Sequence, residues 1–436
     1  MIARFIRLRA VRHLGVVAAG RVFAGLAGVV GIRLFTELAP PEVYGEATLV
    51  LGVMLLGTHL FIAPVTEAQL RLYPAERDAG RGADFLRVVT QLALGGGLVL
   101  AFCAAGAQLL GAGKGLVSEG AGLALILAGY ALFTALRSVG LNYLNTERKQ
   151  FQQTAWETCE SIALIIWGGA LLWISPHPLS LIAANMLATA STAILFSFWG
   201  RDALVKVVAH ARPSRVEAML VLHSIRRYAW AYILFALLGW VMTLFDRYLL
   251  AAYLDAAAVG QYAAVAAIAS RLVLMPSGML SSVLRPVLYD AATVGDLAKW
   301  RKLVRIWLTT VILLGVGALG FVWLFADFIA GILLAAEYRH GARVVMALVG
   351  LSYSFLALAQ MFEMAYLSHG VPAKMLFSRF LGAGLMLSVA LFLVPAHGIV
   401  GASIASVAGH VGLASGALWL LLRALPSKGV GEAGGV

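Results

Sequence analysis

Charge is the first scarcity. Acidic and basic side chains make up only 12% of the 436 residues, against 61% hydrophobic ones and a mean hydropathy of +0.89. A soluble domain carries about 25% charged and about 45 to 50% apolar residues, so a soluble globular protein is excluded. Cysteine is scarcer still: Cys103 and Cys159 stand apart, with no CxxC and no metal-ligand spacing, which leaves redox and zinc chemistry nothing to work with. The chain has no Walker loop, no GxSxG and no HExxH, so those nucleotide, acyl-transfer and metalloprotease sites are missing. Neither a cofactor nor a metal is expected. Long loops are lacking too: only the basic, polar stretch 200–228 is of any length, so an extramembrane catalytic domain has no room. Short alternating strands of the barrel type are absent, which leaves helices as the spanning elements.

Apolar runs are what the chain has instead. Crossing about 30 Å of hydrocarbon takes about 20 residues of helix. Windows of that length give twelve expected spans, at about 14–36, 43–65, 88–111, 116–141, 154–175, 178–199, 229–254, 258–284, 303–326, 344–368, 372–394 and 398–423. The first follows Arg4, Arg7, Arg9 and Arg12 in the manner of a signal peptide. It is too long for that and lacks a small-residue cleavage site, so a retained helix is expected. The run Gly95–Gly97 lies inside an apolar helix and is read as close helix packing, not a phosphate cradle.

Basic residues set the orientation. With the N-terminus inside, 25 of the 33 Lys and Arg fall on cytoplasmic segments, and only Lys114, Arg339 and Arg343 on external ones. Both termini are therefore expected in the cytoplasm, and the net charge of +12 reports topology and an affinity for the phospholipid bilayer. No nucleic-acid partner is expected, since the basic loops carry no interleaved aromatics and no recognition motif. The expected fold is all-α and polytopic. An N-terminal lobe of six helices (1–199) is followed by a basic cytoplasmic linker (200–228), a C-terminal six-helix lobe (229–423) and a short tail (424–436).

The two halves begin alike. The stretch IRLFTELAPPEVYGEATLV, from Ile32, can be laid on FDRYLLAAYLDAAAVGQYA, from Phe245, so that Arg33 matches Arg247, Leu38 matches Leu254 and Val43 matches Val259. Pro64 and Leu70-Arg71 then correspond to Pro276 and Leu284-Arg285. A parallel six-helix repeat about a pseudo-two-fold axis along the membrane normal produces such a pattern.

An Arg late in a helix, a short acidic or Pro-containing turn, and VYG or VGQY opening the next helix resemble the polysaccharide-exporting flippases of the multidrug/oligosaccharidyl-lipid/polysaccharide exporter superfamily. The carriers are Arg33 through Gly45 and Asp246-Arg247 through Tyr262. The likeness in helix number and half-and-half layout covers nearly the whole chain. It implies two six-helix bundles around a cavity that opens alternately to each side. It further implies a lipid-linked oligosaccharide substrate, a polyprenyl pyrophosphate carrying an O-antigen or exopolysaccharide unit, flipped to the periplasmic leaflet of a bacterial inner membrane. Polysaccharide polymerase machinery would then be a partner.

Such a cargo needs a wet, cationic cavity, and an Arg at the centre of a span costs about 2.5 to 3.5 kcal/mol, so arginines in spans are candidates for binding pyrophosphate. Five lie there: Arg21, Arg33, Arg137, Arg247 and Arg271. Arg21 lies about 10 Å inside the cytoplasmic end of its helix and Arg271 about 20 Å inside the external end of its own. Arg33 and Arg247 either rim the cavity or snorkel outward, as Arg137 does inward. Arg379, low in the eleventh span, is a further cavity candidate. His59 is a proton or substrate site or a histidine bonded between helices. Glu67 either pairs with Arg21 or ends its helix in water. Asp246 belongs to a snorkelling pair or to the cavity rim. Glu157, Glu160, Glu363 and His410 are candidate coupling-ion or proton sites, and Trp240 is the candidate for glycan stacking.

Three rivals stand against this reading. A drug or cation antiporter of the same superfamily would prefer carboxylates in its cavity, and a membrane polymerase or ligase would carry a large external loop. A peptidoglycan-lipid flippase usually has more than twelve helices.

Overall fold

The structure, a computed structural model, describes residue 20 and residues 22–109, 120–199, 215–369 and 372–424. Among these residues there is no strand. Helix α1 covers residues 22–38. It is followed by α2 (Pro41–Phe61), α3 (Ala63–Asp78), α4 (Gly82–Leu109), α5 (Gly120–Thr146), α6 (Gln150–Ile174) and α7 (Pro178–Trp199). The remaining helices are α8 (Arg215–Tyr253), α9 (Ala256–Thr293), α10 (Leu297–Leu333), α11 (Ala342–Leu367) and α12 (Leu376–Ala424). Ten helices among the described residues are long and apolar enough to cross a membrane.

Local chemistry accounts for the breaks. Proline pre-sets the first turn of a helix and cannot continue one. Pro41 therefore opens α2, and Pro64 ends it: Ile62, at φ −108° and ψ −53°, separates α2 from α3, so Glu67 lies on α3 beyond a kink. Asp255 caps α9 by accepting the Ala258 N–H at 2.8 Å, and Asp296 caps α10 by accepting that of Lys299 at 2.9 Å. Helix α12 is a hairpin. Gly398, at φ 52° and ψ −127°, folds it in two, and the arms run antiparallel. A Cβ on Gly416 would lie 2.8 Å from the Ser378 Cα, and one on Gly401 2.1 Å from the Leu393 carbonyl oxygen.

By contact the chain divides into two compact units. The first holds Met1–Trp240 with Leu250–Val265 and Asp327–His340, so it takes in two pieces of the second half of the sequence. Its core joins Phe85, Leu86, Val89, Leu123, Ala131, Ala135 and Ile182 of α4, α5 and α7. In lipid such packing rests on van der Waals contact and small residues, not on expulsion of water. Gly96 illustrates this, since a Cβ there would lie 2.1 Å from the Phe61 carbonyl oxygen. Asn142, on α5, donates to the Thr66 carbonyl at 2.6 Å, just past the Pro64 break.

The second unit holds Val241–Leu249, Ala266–Ala326 and Gly341–Val436, with α11 packed along the α12 hairpin. Helix α8 starts at Arg215, inside the segment expected as linker, while residues 200–214 lie outside those described.

Candidate functional site

Two polar constructions stand out, one in each unit. In the first unit, α2 and α9 cross in their first turns with backbone against backbone. A Cβ on Gly45 would lie 1.9 Å from the Ala256 carbonyl oxygen, and a Cβ on Gly260 2.0 Å from that of Pro41. The contact is reciprocal: each glycine stands four residues after the start of its own helix and meets the residue that starts the other. The two helix starts thus meet symmetrically, 41 with 256 and 45 with 260.

The segment between α10 and α11 closes over this crossing. The Tyr338 side chain is fully buried, donates its hydroxyl to the Ala39 carbonyl at 2.8 Å and meets Tyr44 edge-on at 6.2 Å. Burial, with Tyr44 beside it, pushes the Tyr338 hydroxyl far above the usual phenol range, so it stays a donor. Arg33 donates to the Leu334 carbonyl at 2.6 Å and pairs with Glu37 at 2.6 Å, while Thr36 Oγ1 accepts the Ala335 N–H at 3.3 Å.

In the second unit, Glu363 of α11 and Arg379 of α12 form a two-pronged pair, Nε to Oε1 at 3.0 Å and Nη2 to Oε2 at 2.8 Å. Glu363 is 2% exposed and Arg379 15%. Farther along α11, Ser352 bonds both Ser406 at 2.7 Å and His410 Nδ1 at 2.6 Å. His410 is buried, and its Nε2 has no hydrogen-bond partner among the described residues. Its ring leans on Tyr353, which lies within electrostatic reach of Asp246 and Arg247.

The structure distributes the expected site residues as follows. Arg21 lies outside the described residues. Arg33 belongs to the clasp over the crossing. Asp246 is buried and accepts the Arg247 backbone N–H at 2.8 Å, and the Arg247 Nε has no hydrogen-bond partner among the described residues. Arg271 is half-buried on α9 and donates to the Ala267 carbonyl one turn back at 2.9 Å. His59 is half-buried near the end of α2, with Nδ1 unpartnered among the described residues. Trp240 is buried and donates its indole N–H to the Gly52 carbonyl at 2.9 Å. Glu160 pairs with Arg137 and accepts from Thr189 at 3.2 Å.

Asp246, Arg247, Arg271, Glu363, Arg379 and His410 therefore fall in one unit, whereas Arg33, His59, Glu67 and Trp240 fall in the other. Tyr338, Ser352 and Ser406 were not singled out from the sequence. The only trace of the crossing there was the paired VYG and VGQY. Among the described residues no three His, Cys, Asp or Glu side chains gather to hold a metal ion.

No protein-family model and no curated protein sequence matches the chain. Solved structures do. A multidrug resistance MATE family transporter of the MOP superfamily in an inward-facing conformation aligns with a TM-score of 0.72 at 17% identity, over 92% of this chain and 94% of that one. The chain has the fold of that transporter. One in an outward-facing conformation aligns at 0.65 and 15% identity, over 94% of each chain. A MOP superfamily transporter from Pyrococcus furiosus aligns at 0.65 and 15% identity, over 94% of this chain and 92% of that one, and is described as having a binding pocket of reversed polarity that suggests a different function.

Proposed function

We propose that the chain is a multi-pass transporter that works by alternating access, with twelve spans in two six-helix lobes and both termini in the cytoplasm. Its cargo in this reading is a polyprenyl-pyrophosphate-linked oligosaccharide, flipped from the cytoplasmic to the periplasmic leaflet of a bacterial inner membrane. It is a carrier and not an enzyme.

One observation supports the choice of an anionic cargo: two of the acids on the membrane helices, Glu363 and Glu160, are paired with arginine. Glu363 is held by both prongs of Arg379, and Glu160 is held by Arg137. A cation exporter needs carboxylates open to its cargo, and these are neutralised. Arg271 and Arg247, on α9 and α8, remain the groups we assign to the pyrophosphate, together with Arg21. Moving negative charge outward across a potential negative inside is assisted by about 2.3 kcal/mol per charge per 100 mV, so export need not consume a second ion. The drug-antiporter reading is favoured by the multidrug transporters that share the fold.

The test is made in a host whose surface glycan depends on this protein. Its loss is expected to trap lipid-linked oligosaccharide on the cytoplasmic leaflet, beyond the reach of an external glycosidase, with drug sensitivity unchanged. Arg271→Ala is expected to remove surface glycan at normal protein level. Drug hypersensitivity with normal glycan would replace this reading with the antiporter.

A further inference from the structure

We propose that the crossing of α2 and α9, clasped by Arg33, Thr36 and Tyr338, is the gate on the face opposite the basic loops, and that Gly45 and Gly260 are its positioning residues. The inference rests on the transporter reading and gives Arg33 a role in that gate.

Three observations lead here. First, both glycines lie inside helices, where glycine is the poorest helix former after proline, so neither helix gains from it. What demands them is the crossing, where a Cβ would come within 1.9 and 2.0 Å of a carbonyl oxygen on the other helix. Backbone cannot swing away from such a clash as the tip of a flexible side chain would. Second, the clasp is made by side chains reaching main chain, from Arg33 to Leu334 and from Tyr338 to Ala39, with the Ala335 N–H reaching Thr36. Water can replace each of these bonds when the segments part near the membrane surface. Third, the contact joins sequence-distant pieces, 33–45 with 256–260 and 334–338. These are the beginnings of the two halves and the segment between two later helices, and a carrier opening on this face has to separate them.

A closed crossing that excludes any Cβ makes a directional forecast. Alanine strengthens each helix on its own and forbids the closed contact, so it shifts the protein toward the open form. The probe is a membrane-impermeant maleimide applied from outside to the full-length chain with Cys103 and Cys159 replaced by serine. The reporter is Thr36→Cys, at a position 3% exposed, where the sulfur keeps a weak acceptor for the Ala335 N–H and the Arg33 and Tyr338 bonds stay in place. The control is Glu37→Cys, whose native side chain is 56% exposed.

With both glycines present, the residue-36 thiol is expected to react slowly and the residue-37 thiol fast. Gly45→Ala, and separately Gly260→Ala, is expected to raise the rate at position 36 about tenfold with position 37 unchanged. Tyr338→Ala, which leaves the crossing glycines in place, is expected to raise it as well, and decides the matter if the glycine variants do not reach the membrane. Fast labelling at position 36 with both glycines present would overturn the proposal. So would a rate unmoved by Tyr338→Ala and by whichever glycine variants are made. A result in which the labelling behaves as forecast while lipid-linked oligosaccharide is handled normally would keep the gate and remove the assigned cargo.

Discussion

The pair Glu363–Arg379 offers the most quantitative test of the second unit. Burying an ion pair gains little net, but removing one member leaves the other charged and unsolvated, at a cost of about 3 to 5 kcal/mol. Here the carboxylate is 2% exposed and both of its oxygens accept from the guanidinium, so either single substitution should approach that range. Glu363→Leu strands a guanidinium that is 15% exposed and keeps some access to water, which places it near about 3 kcal/mol. Arg379→Met strands the carboxylate, with less access, and should be the worse of the two. The double variant Glu363→Leu/Arg379→Met exchanges the pair for apolar side chains of similar volume. It should return to within about 1 kcal/mol of the parent. The coupling between the two sites is then about 3 kcal/mol or more, far above the error of additive bookkeeping. The assay is reversible unfolding of the purified protein in bicelles by steric trapping, with apparent melting in nanodiscs as the cheaper screen. Single variants within about 0.5 kcal/mol of the parent would mean that the pair does not form. A double variant that costs the sum of the singles would mean that each residue serves other partners.

Three further outcomes follow from individual contacts. Gly398→Ala forces a side chain to φ 52° and ψ −127° and should cost about 1 to 3 kcal/mol, read as reduced folded yield on size exclusion; normal yield would move the fold of the α12 hairpin elsewhere. Trp240→Phe removes the donor to the Gly52 carbonyl and should lower stability by about 1 kcal/mol in the same unfolding assay; an unchanged stability would show that the bond contributes nothing net. Asn142→Leu removes the side-chain donor to the Thr66 carbonyl, inside α3 just past the α2–α3 break, and should cost about 1 kcal/mol in the same unfolding assay; a neutral result would show that the bond contributes nothing net.

Hydropathy located long apolar helices because apolar length is a property of neighbouring residues, and ten among the described residues are long and apolar enough to cross a membrane. The reading of 178–199 coincides with α7, where the Pro178 that opens the helix also starts the apolar run. The same method lost the beginning of α8: windows stop at Arg226 and Arg227, but the helix runs back to Arg215 because Arg, Glu, Leu and Met are good helix formers whatever their polarity. The hairpin in α12 was read as two spans from the polar, Pro-containing interruption at Pro395–Gly398, which is where the chain turns. The clasp was not legible. Arg33 meets Leu334 and Tyr338 meets Ala39 across about 300 residues of sequence, and no local pattern encodes such a meeting. The paired VYG and VGQY were visible as a likeness, but nothing in them said that the two helix starts would touch.

That repeat also separates two arginines that the sequence treated as equivalents. Arg33 spends its donors on Glu37 and the Leu334 carbonyl, so its charge is committed to holding backbone. Arg247 stands beside Asp246 and within reach of Tyr353, and its Nε keeps an unused donor among the described residues. Gly260 and Arg271 both belong to helix α9, and both precede the first proline inside it, Pro276. The helix that opens at Pro41 in the first half is instead broken at Ile62, two residues before Pro64.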